Sequence, residues 1–118
     1  MALSGQLKRT FGPTALSATL TTNVYQGGGG SALIYDSLKQ IMVCNKTSGP
    51  ITFTLYLGAT GANTAGTELF TAVSIPGNTT QFFYFQPGLK LTSTDFLVGG
   101  ASSATSLTIT GMGEQIVV

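Results

Sequence analysis

Few residues of this sequence could do acid–base or nucleophilic chemistry. The chain has four carboxylates and no histidine. Histidine is the commonest general base and a frequent zinc ligand, so a Ser or Cys nucleophile would lack its usual partner. A glycosidase needs two carboxyl groups at a defined separation, but the four acids lie on different predicted elements. Asp36 and Asp95 border predicted turns, where Asp usually caps the backbone or is solvated. We therefore predict no catalytic, metal or cofactor site among the acids, which are Asp36, Glu68, Asp95 and Glu114.

Two further features invite a chemical interpretation. Gly27–Gly30 is a run of four glycines, but a phosphate-binding loop also needs a lysine and a following helix, and the sequence supplies neither. We interpret the run as a flexible loop. Cys44 is the single cysteine, which excludes an intrachain disulfide. Because it lies in an apolar predicted strand, we expect it to be a small core or half-buried residue.

Charge and composition point away from nucleic acid and membranes as partners. Charged residues make up 8% of the chain and sum to +1, so no strong field attracts a polyanion. The sequence shows no secretion signal and no apolar run of spanning length, so we expect synthesis in the cytoplasm without a signal peptide. A hydroxyl-rich surface with few charges is poorly protected against association. It fits either a Thr-rich β protein or a protein that is packed against neighbours.

The stretch from Ile41 to Leu57 gives the clearest structural signal. Ile51, Phe53, Leu55 and Leu57 alternate with polar residues or tyrosine, and Ile41 and Val43 repeat the pattern upstream. Alternation with period two predicts strands with one apolar face. The intervening residues 46–50 have the length and the Gly-Pro pair of a turn, so we predict a hairpin.

The remaining chain continues in the same way. We predict a first strand over residues 15–25, a long strand over 32–45 with a bulge or bend, and a strand over 67–75. A strand over residues 79–86 should end at Pro87-Gly88, and short strands should follow up to residue 111. Seven or eight strands with frequent turns predict an all-β protein, a single antiparallel β-sandwich of jelly-roll-like form over residues 15–118.

Apolar residues at three places are candidates for an interface. Residues 1–14 fit either a short amphipathic helix or, as we favour, an extended N-terminal arm that docks on a neighbour. In the run from Phe82 to Phe85, alternate aromatic side chains must face opposite sides, which suits core packing, a protein contact or ligand stacking. An apolar tail closes the chain. The candidate residues are Leu3, Leu7, Phe11, Phe82, Phe83, Tyr84, Phe85, Ile116, Val117 and Val118.

The order of strands and turns resembles that of small virion proteins of tailed bacteriophages. The likeness covers about residues 16–114 and lies in the pattern, without one diagnostic signature. It is carried by the stretch Leu38-Lys-Gln-Ile-Met-Val-Cys-Asn-Lys-Thr-Ser-Gly49 with the strand Ile51-Thr-Phe-Thr-Leu55, the turn Ile75-Pro-Gly-Asn-Thr79, the step Leu89-Lys-Leu-Thr-Ser-Thr-Asp95, and Ala101-Ser-Ser-Ala104 before a last strand.

The resemblance implies a non-enzymatic β-sandwich located in the virion. Such a protein assembles as a homo-oligomer and binds other virion proteins, such as the major capsid or tail proteins, as a head-decoration, head-fibre-base or tail-associated protein. The four-glycine run and the aromatic run depart from the family pattern. Two alternatives stay open: a carbohydrate- or receptor-binding β-sandwich, and a small jelly-roll capsid subunit. The second has against it that the N-terminal segment carries only two basic residues, Lys8 and Arg9.

Overall fold

The protein is a β-sandwich of two four-stranded antiparallel sheets. The computed structural model describes residues 6–117. Sheet A has the strand order β1-β8-β3-β6, and sheet B has the order β2-β7-β4-β5. The predicted all-β sandwich is therefore confirmed. The strands are β1 (Gln6–Ala15), β2 (Asn23–Gln26), β3 (Ile34–Asn45), β4 (Ile51–Gly58), β5 (Glu68–Ile75), β6 (Thr79–Leu91), β7 (Phe96–Ala101) and β8 (Leu107–Val117).

Strands β3 and β4 lie in different sheets, so the predicted hairpin between them is wrong. β3 pairs with β6 and β8, whereas β4 pairs with β5 and β7 in the other sheet. Asn45 stabilises the connection between β3 and β4. Its buried Nδ2 donates to the carbonyls of Gly49 and Ile75, each at 2.9 Å, and its Oδ1 accepts a hydrogen bond from the N–H of Thr47. Alternation predicted both strands correctly, but it does not say which strands pair.

The core lies between the sheets and is apolar. Ile41 and Val43 of sheet A and Phe53 and Leu55 of sheet B are at most 1% exposed, as the alternation predicts. Full burial of such a side chain stabilises the fold by about 1.5–3 kcal/mol. These residues belong to one cluster that also includes Ile109.

Bulges set which side chains face inward in two strands. The register of β3 shifts between Leu38 and Gln40, so Leu38 and Ile41 are both buried, in agreement with the predicted bulge. The register of β5 also shifts where Ala72 has a φ of +46°. Because of this irregularity Phe70 packs on the core together with Val73, whereas strict alternation would place the two on opposite faces.

The predicted N-terminal arm is corrected over residues 6–14. These residues form most of β1, which pairs with β8 from Gln6 to Ala15 with two register shifts. Gly12 and Pro13 interrupt the alternation, and this obscured the strand in the sequence. Conversely, the strand expected over residues 15–25 is reduced to β2. Residues 1–5 of the arm lie outside the described residues.

Strand β6 also runs further than the sequence predicts. It does not end at Pro87-Gly88, because Leu89 and Leu91 continue the pairing with β3. Proline removes a backbone donor and is tolerated in a sheet at an edge or a bulge. β6 is an edge strand of sheet A, and its register with β3 shifts in this region.

Candidate interaction surface

The four acids lie at four different places in the fold. Asp36 lies in β3, Glu68 begins β5, Asp95 precedes β7, and Glu114 lies in β8, 3.9 Å from the ammonium of Lys39. Over residues 6–117, no three His, Cys, Asp or Glu residues are grouped so that they could hold a metal ion. In the same part of the chain, no helix has the length and apolar character needed to span a membrane.

Asp36 is fully buried, so the expectation of a solvated carboxylate is wrong, although it does cap a backbone N–H. Its Oδ2 accepts a hydrogen bond from the hydroxyl of Tyr25 at 2.5 Å and one from the N–H of Gly28 at 2.7 Å. Its Oδ1 has no hydrogen-bond partner within the described chain. Burial raises the pKa of Tyr25, and the hydrogen bond and charge of Asp36 raise it further. The pair therefore anchors β2 to β3 inside the sandwich.

The glycine run forms a compact turn and not the flexible loop that the sequence predicted. Gly27 and Gly28 are buried. A Cβ at Gly27 would lie 2.1 Å from the carbonyl oxygen of Thr92, and one at Gly28 would lie 2.3 Å from that of Ile34. Gly28 also has a φ of +62°, which favours glycine. Close backbone packing therefore explains the first two glycines.

The outer face of sheet A, which points away from the core, carries an exposed patch with aromatic and apolar side chains. Phe82 is 48% exposed beside Met42, and Tyr84 is 70% exposed beside Gln40. Cys44 lies on this face opposite Thr80 of β6. Its thiol is exposed, so its predicted burial is wrong. We call this patch the outer face of sheet A; its members are Gln40, Met42, Cys44, Thr80, Phe82, Tyr84, Thr108 and Met112, and the buried Thr110 lies on the same side of the sheet.

This face contains no charged residue among its members. Arg9 of β1 lies opposite Met112 on the same side of the sheet, at the border of the patch, and Lys39 and Glu114 pair at one end. Beyond that end the ammonium of Lys90 lies 4.6 Å from the ring centroid of Tyr35. The sequence predicted the outward rings of β6 but not their neighbours, because neighbours depend on strand pairing.

The inward rings of β6 close one side of the sandwich. Phe83 contacts Phe53 and Phe70, with ring centroids 5.6 and 5.2 Å apart, and Phe85 contacts Phe70 at 6.1 Å. The two-faced aromatic strand is therefore confirmed. Phe70, Phe83 and Phe85 remain half-buried, although they pack on the core cluster.

The other predicted interface residues differ in their exposure to solvent. Leu7 is 76% exposed on β1, whereas Phe11 is 7% exposed in the core and stacks on Tyr25. Phe11 is therefore removed from the interface candidates. Ile116 is half-buried opposite Tyr35, and Val117 is exposed. Leu3 and Val118 lie outside the residues whose side chains the structure describes.

Sheet B carries a shallow cleft on its outside. The cleft has a volume of about 220 Å³ and is lined by small and hydroxyl-bearing side chains, among them Ala18, Leu20, Thr52, Thr54 and Ser102. It has no charged or aromatic lining residue and so offers little to fix a ligand. The outer face of sheet A is the stronger candidate for binding a partner.

Comparisons with protein-family models, with curated proteins and with solved structures gave no match to this chain.

Proposed function

We propose that this protein is a structural component of a tailed-bacteriophage virion. It assembles as a homo-oligomer on the capsid or at the head–tail or tail surface, and it performs no catalysis. The observation that carries the proposal is the outer face of sheet A, where Phe82 and Tyr84 stand exposed among uncharged residues. Exposed aromatic side chains with few charges around them are enriched at protein–protein contacts.

The size of the patch suits repeated weak contacts. Complete burial of a large apolar side chain is worth about 1.5–3 kcal/mol, and Phe82 is already about half buried. Two such rings give a weak contact once the cost of association is subtracted. Symmetric repetition on a particle multiplies the contact through effective concentration, so a modest patch is enough for a decoration protein.

The strand order supports the same class by analogy. β1 pairs with β8, β2 with β7, β3 with β6 and β4 with β5, an order that is similar to that of a jelly roll, an architecture found in viral capsid and lectin domains. Analogy of fold does not itself fix a function. It leaves carbohydrate binding as the rival, with the exposed ring of Tyr84 beside the amide of Gln40 as the stacking platform.

Co-sedimentation with purified particles of the phage that encodes the chain tests the proposal. We expect wild-type protein to sediment with the particles and Tyr84→Lys to bind at least about tenfold more weakly, a loss of 1.4 kcal/mol. Ser74→Lys is the matched control because Ser74 is an exposed strand residue of sheet B. Absence of wild-type protein from the pellet would overturn the proposal. Glycan-array binding that Tyr84→Lys abolishes would replace it with carbohydrate recognition.

A further inference from the structure

The four edge strands of the sandwich differ in how well they are protected against pairing with another strand. β1 carries Lys8, Arg9 and Pro13 and has two register shifts. β2 is four residues long. β5 begins at Glu68 and is irregular in two places. Short length, charges, proline and bulges are the devices that keep edges from pairing.

β6 lacks all of these devices over its first half. From Thr79 to Tyr84 its register with β3 is unbroken, and residues 79–86 contain neither charge nor proline. Because alternate N–H and C=O groups of an edge strand point away from its neighbour, β6 presents a row of unpaired donors and acceptors. The half-buried rings of Phe83 and Phe85 lie on the same strand.

We propose that β6 pairs antiparallel with β6 of a second copy of this chain, about a two-fold axis at Phe83. Sheet A then continues through the two copies as one eight-stranded sheet. The proposal rests on the proposed function, which requires self-association, and names the edge that provides it. It also covers part of the aromatic side of the sandwich that a single copy leaves half-exposed.

The order of residues in β6 argues for this partner and this register. Residues that face each other across an antiparallel pair share one side of the sheet. In a symmetric pair of β6 strands the two-fold axis must therefore pass midway between one residue and the same residue of the other copy. With the axis at Phe83, Phe82 of each copy opposes Tyr84 of the other on the outer face. Aromatic cross-strand pairs of this kind stabilise sheets by about 0.2–1 kcal/mol each. No like charges meet, because the segment has none.

Edge pairing leaves the outer face of sheet A free and doubles its extent. The two copies place four rings, Phe82 and Tyr84 from each, in one patch. Cys44 lies on that face, in β3 and not at the edge. A dimer joined through β6 therefore keeps the thiol reactive, whereas a dimer joined face to face buries it.

Sedimentation of wild type and two charge variants over a range of concentrations tests the pairing. Gln81→Lys places a charge on the inward side of the β6 edge, and Thr108→Lys places the same charge on the outer face, in β8. We expect wild type and Thr108→Lys to dimerise and Gln81→Lys to stay monomeric, with thermal unfolding used to verify that each variant is folded.

Amide hydrogen exchange on the wild-type protein gives a readout independent of any variant. Alternate amides between Thr79 and Gln86 should exchange at least about tenfold more slowly at high than at low concentration, while Cys44 still reacts with a thiol reagent. A wild-type monomer at all concentrations overturns the pairing. So does a dimer that protects Cys44 and dissociates in Thr108→Lys. A monomer would also remove self-association from the proposed function, whereas the face-to-face dimer would remove only the β6 pairing. Attachment to particles is tested separately by co-sedimentation.

Discussion

The sandwich has two lateral sides, and they are closed in different ways. On the side formed by β1 and β2, Phe11 is 7% exposed and stacks on Tyr25 with ring centroids 5.2 Å apart. The hydroxyl of Tyr25 is then tied to the buried Asp36. On the side formed by β5 and β6, Phe70, Phe83 and Phe85 meet edge to face and remain half-buried.

The difference lies in the polar anchor. The β1–β2 side combines a stacked pair with a buried hydrogen bond, and hydrogen bonds to charged groups are worth about 1.5–3 kcal/mol. Within the described residues no side-chain hydrogen bond joins β5 to β6. Asn45 of β3 does donate to the carbonyl of Ile75 at the end of β5, but the rings of β5 and β6 meet by packing, so another strand can extend β6 without breaking that hydrogen bond. We therefore expect a partner to bind at the second side and not at the first.

Truncation of one ring on each side should show the contrast most strongly. Phe11→Ala removes a ring that is almost fully buried, and we expect it to cost about 4 kcal/mol of unfolding free energy. Phe83→Ala should cost about half as much in dilute solution, because its ring is only half-buried. Urea unfolding at low protein concentration measures both. Equal losses would contradict the distinction between the two sides.

Removal of the polar anchor should have the next largest effect. Asp36→Ala leaves the hydroxyl of the half-buried Tyr25 and the buried N–H of Gly28 without their acceptor, at a cost of about 2–3 kcal/mol. Asp95→Ala is the matched control, since Asp95 also accepts two hydrogen bonds, from the N–H and hydroxyl of Thr92, but is not buried. Water can replace that acceptor, so the control should lose about 1 kcal/mol. Chemical unfolding that ranks the two in the opposite order would show that Asp36 is no anchor.

The sequence predicted the faces of the strands better than their partners. Alternation correctly placed Phe53 and Leu55 inward and Phe82 and Tyr84 on the opposite face from Phe83. Such a pattern is local, because side chains along one strand follow from backbone geometry alone. Strand pairing is non-local, so the sequence predicted a hairpin at the place where the chain passes from sheet A to sheet B after Asn45.

Two of the errors had a signal in the sequence. Cys44 is out of phase with Ile41 and Val43, which are buried, so alternation itself placed it outward. Asp36 is in phase with Leu38, two residues later, and both are fully buried. The polarity of Asp36 and the glycine run before it suggested a solvated loop. The irregularity at Ala72 had no such signal, because alanine rarely adopts a positive φ.

The smallest expected effect is the pH dependence of the Tyr25 anchor. Burial and Asp36 raise the pKa of this phenol above its ordinary value of 10.0. Above that pH the unfolded chain loses the proton that the folded chain retains, so folding stability falls as pH rises. Because only one proton is involved, the free energy of unfolding falls by at most about 1.4 kcal/mol per pH unit. At neutral pH, well below 10, both states keep the proton, and the contribution of Tyr25 is constant.

Tyr25→Phe isolates this contribution because the other three tyrosines are kept and their titration cancels. At neutral pH the variant should be about 1–2 kcal/mol less stable, since Asp36 loses one hydrogen-bond donor. From pH 9 to pH 11 the gap between wild type and variant should narrow, because only the wild-type protein has this phenol to deprotonate on unfolding. Urea midpoints of the two proteins that run parallel over this range would show that the hydroxyl of Tyr25 is not held in the interior by Asp36. The rings of the β1–β2 side would then be held by packing, as the rings of the β5–β6 side are.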